Sequence, residues 1–376
     1  MTRMERRIAE TLADKADRLS AEFEARAATH DDCDTFVAEN FQRLGEEGLL
    51  AVGVPADLGG GDATLDQLAD MLRRLAQGCG STALALAMHS HGVATPAWRW
   101  RNQPQARAAV EPVLRKVAAG AVLVTSGGSD WVGGAGQAEK VAGGYRITAR
   151  KVFASCSPVG SILTTSVLCG DQVIHFALPL DQPEVRKMDN WHTLDMRGTG
   201  SQDLMIDNLF LPEGKVILAR PAGRWHPLWH MIATNAMPLI YAVYLGLAEG
   251  ARRQALTLAA PRAAQPATQR LAGEMETALF AARAAHRAML AAAQANPPGE
   301  ATVNPVMMGR RLVEEAAIRT VELAMELAGG AGFFRDRGLE RRFRDIQAAR
   351  YHPMRREAQH AYAGALALGQ PVDTVF

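Results

Sequence analysis

Two placements of histidine have the residue types and spacing for acid–base chemistry. His352 stands in RDIQAARYHPMRREAQ (residues 344–359), directly before Pro353, and His89 and His91 stand two apart in LALAMHSHGVATP. An imidazole changes charge near neutrality and can donate or accept a proton. Side chains two apart on a helix point to different faces, so His89 and His91 are not a joint metal site; one of them is expected to line a pocket. For His352 the purely structural alternative is a loop residue ahead of a proline that opens a helix. Cys33, Cys79, Cys156 and Cys169 form no CxxC pair and no pattern with histidine that would hold a metal. They read as reduced thiols, inert or packed, and no metal is expected.

Small and hydroxyl residues gather in other short segments. LVTSGGSDW (123–131) and YRITARKVFASCS (145–157) place Thr125, Ser126, Gly128, Ser129, Phe153 and Ser155 in and beside turns, and ELAGGAGF contributes Gly329, Gly330 and Gly332. Glycines of this kind let a ligand approach the backbone closely, although a glycine ending a helix gives the same pattern. Ser and Asp in loops equally make turns for local reasons.

The elements that must position these residues follow from periodicity. Apolar residues recur at helical spacing in the first third, as in Ile8, Leu12, Leu19 and Phe23 and again in Leu68, Met71, Leu72 and Leu75, which predicts an α-helical domain over 1–117. Within it, LGGGDATLDQLADML reads as a chain reversal before a helix capped by Asp62 or Thr64, not as a phosphate loop. Near Gly120 the pattern changes to short β-branched runs such as SILTTSVL, QVIHFALPL and DLMIDNLFLPE, split by GG and CGD turns, which predicts an antiparallel β domain over 118–215. Long amphipathic helical stretches then return and predict a four-helix bundle over 216–376. The fold class is α+β.

Composition narrows the partners. The 376 residues are 48% hydrophobic and carry a net charge of +1, so neither nucleic acid nor an anionic membrane has a basic patch to bind. The charged N-terminus is no signal peptide, and no run reaches the ~18 uninterrupted apolar residues of a membrane span, so a cytoplasmic location is expected.

Helices, then a β domain, then a four-helix bundle resembles the acyl-CoA dehydrogenase superfamily of flavoproteins over nearly the whole chain. LVTSGGSDW resembles a shortened form of that family's LTEPxxGSD, which implies flavin contacts from Thr125, Ser126, Gly128 and Ser129. YRITARKVFASCS resembles YxxNGxKxWITN, which implies Phe153 against the isoalloxazine and Ser155 at flavin N5. WHTLDMRGTGSQDLMIDNLFLPE (191–213) resembles the segment leading to a VPxE-type exit and implies substrate contacts from Arg197 and Ser201, joined by His89 from the helix that approaches the active site. ELAGGAGFFRDRGLERRFRD (326–345) resembles QxxGGxGF…ERxxRD, so that Gly329, Gly330 and Gly332 would reach the dinucleotide of a neighbouring copy. FAD is thereby implied as cofactor, with FMN the alternative because the family's RxxFG has no counterpart in AAPRAAQPATQRLAGEM. A homodimer or homotetramer is implied as well.

The sequence departs from that family at the base that removes the α proton of an acyl thioester. After Arg344-Asp345 the family's YEGT glutamate is replaced by Tyr351-His352-Pro353-Met354, and the other family position, on the first helix of the bundle, falls at Ala236. Glu357, one turn further on, reads as a solvated helix residue. Glutamate-lacking relatives of this fold resemble dibenzothiophene monooxygenase and react reduced flavin with oxygen. That likeness implies His352 as proton donor, with Ser155 and His91 as further catalytic residues. The resulting expectation is an oxygen-using flavin oxidoreductase acting on a CoA or carrier-protein thioester or a related ring substrate. An acyl-thioester dehydrogenase served by an electron-transfer partner, and a non-catalytic flavin-binding protein, are the alternatives.

Overall fold

The computed structural model describes residues 10–125, 132–295 and 297–373. Helices α1 (Leu12–Asp32), α2 (Ala38–Glu46), α3 (Leu65–Gly78), α4 (Gly80–Asn102) and α5 (Arg107–Ala118) open it. Thr64 caps α3: its hydroxyl accepts from Gln67 N, and the Gln67 side chain accepts from Thr64 N, so two orphan amides of the first turn are satisfied. Helix α4 is buried around its circumference because α3, α5, the first strand and the first bundle helix each cover a side. His89 is therefore interior and His91 half-buried.

Strands β1 (Leu123–Thr125), β2 (Gln137–Val141), β3 (Gly144–Lys151), β4 (Ile162–Cys169), β5 (Gln172–Pro179), β6 (Val185–Lys187), β7 (Leu204–Pro212) and β8 (Leu218–Pro221) form one sheet. Its order is β6-β7-β3-β2-β4-β5-β8, with β1 beside β4. The expected hairpins β2–β3 and β4–β5 are present. Both β1 and β2 run parallel to β4, however, so the sheet is mixed instead of wholly antiparallel. Turn residues report only strands that follow one another, and these parallel partners are not hairpin neighbours. Along β3, Ile147, Ala149 and Lys151 face the core while Thr148 and Arg150 face out. The buried Lys151 amine donates to the carbonyls of Ala135 (2.6 Å) and Ser166 (2.5 Å), as a charge removed from water requires.

The last third comprises α6 (Pro227–Ala259), α7 (Pro266–Ala295), α8 (Glu300–Ala328), the short α9 (Leu339–Asp345) and α10 (Arg356–Ala367). Helix α6 is long and apolar enough to cross a membrane, but 89% of its most apolar window is buried inside the protein, where α3 and α4 pack on it along with α7 and α8. It is the core helix that joins the N-terminal helices to the bundle. At Gly246 a Cβ would come within 2.1 Å of the Arg73 carbonyl oxygen, so only glycine permits the α3–α6 approach.

Candidate active site

After β3 the chain turns sharply at Phe153, whose φ is +55° and whose ring is 56% exposed. The ring meets the edge of Trp191, with centroids 5.9 Å apart. Cys156 (φ +56°) and Met196 (φ +49°) share this left-handed backbone, which is uncommon outside glycine and gathers at functional sites. All three lie where segment 153–157 runs beside segment 196–202. Backbone bonds Ala154 N to Gln202 O (3.2 Å) and Cys156 N to Thr199 O (3.0 Å) hold the two together. This places the Ser155 hydroxyl 2.8 Å from that of Ser201, which is itself 2.7 Å from that of Thr199. Gly200 is obligatory here, because its φ is +55° and a Cβ would come within 2.6 Å of Phe36.

Strand β1 lies alongside, tied by the Cys156 thiol to Leu123 O. The fully buried His89 holds β1 to α4: Leu123 N–H donates to Nδ1 at 2.9 Å, so Nε2 carries the proton and donates to Leu50 O at 2.8 Å. Both ring nitrogens are thus engaged by backbone. His91 is half-buried, with Nε2 3.4 Å from Thr125 Oγ1, and burial with the neighbouring His89 pushes its pKa down to about 4.

His352 enters from the turn after α9. Its Nε2 lies 2.5 Å from the hydroxyl of Tyr244, fully buried on α6. Two further bonds fix the turn: Tyr241 Oη donates to Ala349 O (2.8 Å), and the fully buried Arg310 of α8 donates to His352 O (2.6 Å) while pairing with Glu314 at 2.8 Å. Burial, the Arg310 charge and nearby His91 together push the His352 pKa down to about 3. The site therefore holds two neutral imidazoles, from α4 and from the 346–352 turn, and a charge on His91 would disfavour one on His352.

Arg197 serves the loop that carries these groups. Its Nε is 3.3 Å from Asp34 Oδ1 and donates to Thr193 O, and its Nη1 donates to Asp31 O. Gly329 ends α8 with φ +64°, Gly332 packs against Ala328 and Leu339, and Gly330 has open space above it, so within this chain the GGAGF glycines form the corner between α8 and α9. Ser126, Gly128 and Ser129 lie outside the described residues. Ala236 is buried in α6 and the other family position falls at His352, so neither offers a carboxylate, and Glu357, one turn further on, is exposed on α10. Among the described residues no cluster of metal-ligating side chains occurs.

Tyr244, Arg310 and Asp195 are absent from the candidates that the sequence suggests. Asp195 lies half-buried in the 191–197 loop, and burial, followed by the neighbouring Asp345, pushes its carboxyl up to about 7. It lies within the 191–213 segment, where the family likeness pointed to Arg197 and Ser201; its own signal would have been an acid between the apolar Leu194 and Met196.

An exposed aromatic ring on a strained turn, backed by three linked hydroxyls and flanked by neutral imidazoles, fits a planar ring system with polar edges such as a flavin. Residues 4–117 match the family model of the acyl-CoA dehydrogenase N-terminal domain and residues 239–357 that of the C-terminal domain, together more than half of the chain. The chain belongs to the acyl-CoA dehydrogenase superfamily. It is similar to the amino sugar nitrososynthase DnmZ of Streptomyces peucetius, with 28% identity over 96% of this chain and 93% of that protein. It is also 29% identical to the putative acyl-CoA dehydrogenase YdbM of Bacillus subtilis, over 90% of this chain and 92% of YdbM. Among solved structures, KijD3 in complex with FMN and a dTDP-linked amino keto sugar superposes with a TM-score of 0.86 at 28% identity, covering 96% of this chain and 94% of KijD3. The protein is accordingly a flavin-dependent oxidoreductase of the acyl-CoA dehydrogenase fold, of the kind that includes oxygen-using enzymes.

Proposed function

We propose that this superfamily member is a monooxygenase that takes reduced FMN and oxygen and oxidises the amino group of a small molecule, a nucleotide-linked amino sugar being the first class to test. The feature that carries the reading is His352: it is a neutral imidazole clamped by Tyr244 and Arg310, and motif likeness puts it in the place of the ionised carboxylate that the dehydrogenases need. The similarity to DnmZ and KijD3 over almost all of each chain supports the amine, since an amine must lose its extra proton before its nitrogen can be oxidised. The Asp195 carboxyl, which titrates about 7, suits that step, while His91, held neutral with a pKa of about 4, accepts a hydrogen bond from the amine and not its proton. His352 is then the donor of the set. Reduced flavin supplies the activation of oxygen; Phe153 would lie against its ring, with Ser155 and Ser201 at its edge and Thr125 alongside. FMN is proposed over FAD because Gly329 and Gly332 are already explained as a helix cap and a packing site, and because KijD3 is similar to this chain and carries FMN. A cytoplasmic homo-oligomer is proposed, with Phe333 and Phe334, both exposed at the α8–α9 corner, in its interface.

A second reading keeps YdbM in view: an acyl-thioester dehydrogenase whose base is Asp195, a half-buried carboxyl poised to exchange a proton near neutrality. The experiment that separates the two supplies FMN, a flavin reductase and NADH under ¹⁸O₂, with dTDP-linked amino sugars in one series and saturated acyl-CoAs in the other. An N-oxidised product carrying ¹⁸O supports the monooxygenase. An enoyl thioester formed without oxygen supports the dehydrogenase.

A further inference from the structure

We propose that Tyr244 is a positioning residue that fixes the tautomer of His352, its hydroxyl donating to Nε2 so that the hydrogen of the neutral ring sits on Nδ1. The two atoms are 2.5 Å apart, so one donates and the other accepts. Were the imidazole the donor, the phenolic hydrogen of Tyr244 would need another acceptor, yet Tyr244 is fully buried and no second acceptor reaches its hydroxyl among the described residues. A buried hydroxyl hydrogen without an acceptor keeps its full desolvation penalty, which decides the direction. The phenol also keeps its proton, since burial raises its pKa well above the ordinary value. Nδ1 makes no hydrogen bond among the described residues, so it is the donor left available.

The surroundings hold this state. Arg310 on α8 caps the His352 carbonyl and opposes a positive ring, Tyr241 on α6 holds Ala349 O, and His91 on α4 adds to the cost of a charge. The Asp195 carboxyl in the 191–197 loop and buried Asp345 on α9 also act on Tyr244, and both favour the neutral phenol. Tyr241 and Tyr244, three apart, share one face of α6, so one helix face sets both the position of the turn and the protonation pattern of its histidine. A fixed Nδ1–H gives a neutral donor whose direction does not depend on pH across the physiological range, which a freely tautomerising imidazole is not.

The consequence for catalysis rests on the proposed function, whereas the tautomer can be read on the protein itself. Full-length protein loaded with oxidised FMN and labelled with ¹⁵N at histidine gives long-range proton–nitrogen spectra, with His352 assigned by loss of its signals in His352→Gln. At pH 7 the expected pattern is Nδ1 in the protonated range and Nε2 in the unprotonated range. Tyr244→Phe, which keeps the ring packing, is expected to abolish that preference with an unchanged circular dichroism spectrum. A wild-type ring protonated on Nε2, or a pattern that Tyr244→Phe leaves untouched, overturns the proposal. Product formation with reduced FMN is assayed separately, so a wrong substrate reading leaves the spectrum standing and a wrong tautomer leaves the oxygenase reading standing.

Discussion

The backbone N–H of Leu123 donates to His89 Nδ1, and the other ring nitrogen donates to Leu50 O, so one imidazole fastens the first strand and the segment before α3 to α4. His89→Ala leaves both backbone groups buried without partners, at about 1–3 kcal/mol each. A lower midpoint in urea with an unchanged slope is the expected outcome. Thr125, which follows on β1, should then be displaced, and flavin binding should weaken.

Arg310 and Glu314 form a second buried pair, 2.8 Å apart and almost wholly removed from solvent. Arg311 also reaches Glu314, so the carboxylate has a second cation, while among the described residues Arg310 has no second anion. Glu314→Leu should therefore cost more than Arg310→Leu, toward the upper end of the ~3–5 kcal/mol typical for a buried charge left unpaired. Chemical denaturation of both variants checks the order.

Asp195 gives a pH dependence of definite sign. The folded protein holds its proton up to about pH 7, while the unfolded chain releases it near 3.8, so this contribution to stability is complete below 3.8 and lost as pH rises through 7. Asp195→Asn should match the wild type near pH 4 and be the more stable of the two at pH 8. Melting curves at the two values test it, and an equal effect at both would refute the raised pKa.

The order of helices, sheet and bundle was legible because core-facing residues such as Leu68, Leu72 and Leu75 repeat at the helical period and β3 alternates at the strand period. The parallel seating of β1 on β4 was not, since its register depends on partners far along the chain. Motif likeness brought out Thr125, His91 and His352, and the structure does bring Thr125 to His91 and His91 within electrostatic reach of His352. Tyr244 was hidden because YAVYLG reads as the apolar stripe of a core helix, which it also is. Arg310 was hidden because GRRLVEE reads as a solvated charge run; its burial appears only once α8 packs beneath the 346–352 turn. Arg197, which the motif put forward for substrate, also ties its loop to the end of α1 through Asp31 and Asp34.

The oxygen reaction of the protein-bound reduced flavin, followed by absorbance with parallel assay of hydrogen peroxide, tests the central claim most directly. The oxygenase account predicts prompt reoxidation in air. It also predicts that His352→Ala diverts electrons from product to hydrogen peroxide and lowers the rate of product formation by about 10²–10⁴-fold, the usual size of a lost acid–base group. A reduced flavin that persists in air, with His352→Ala indistinguishable from wild type and the oxidised flavin bleached anaerobically by a saturated acyl-CoA, would contradict it.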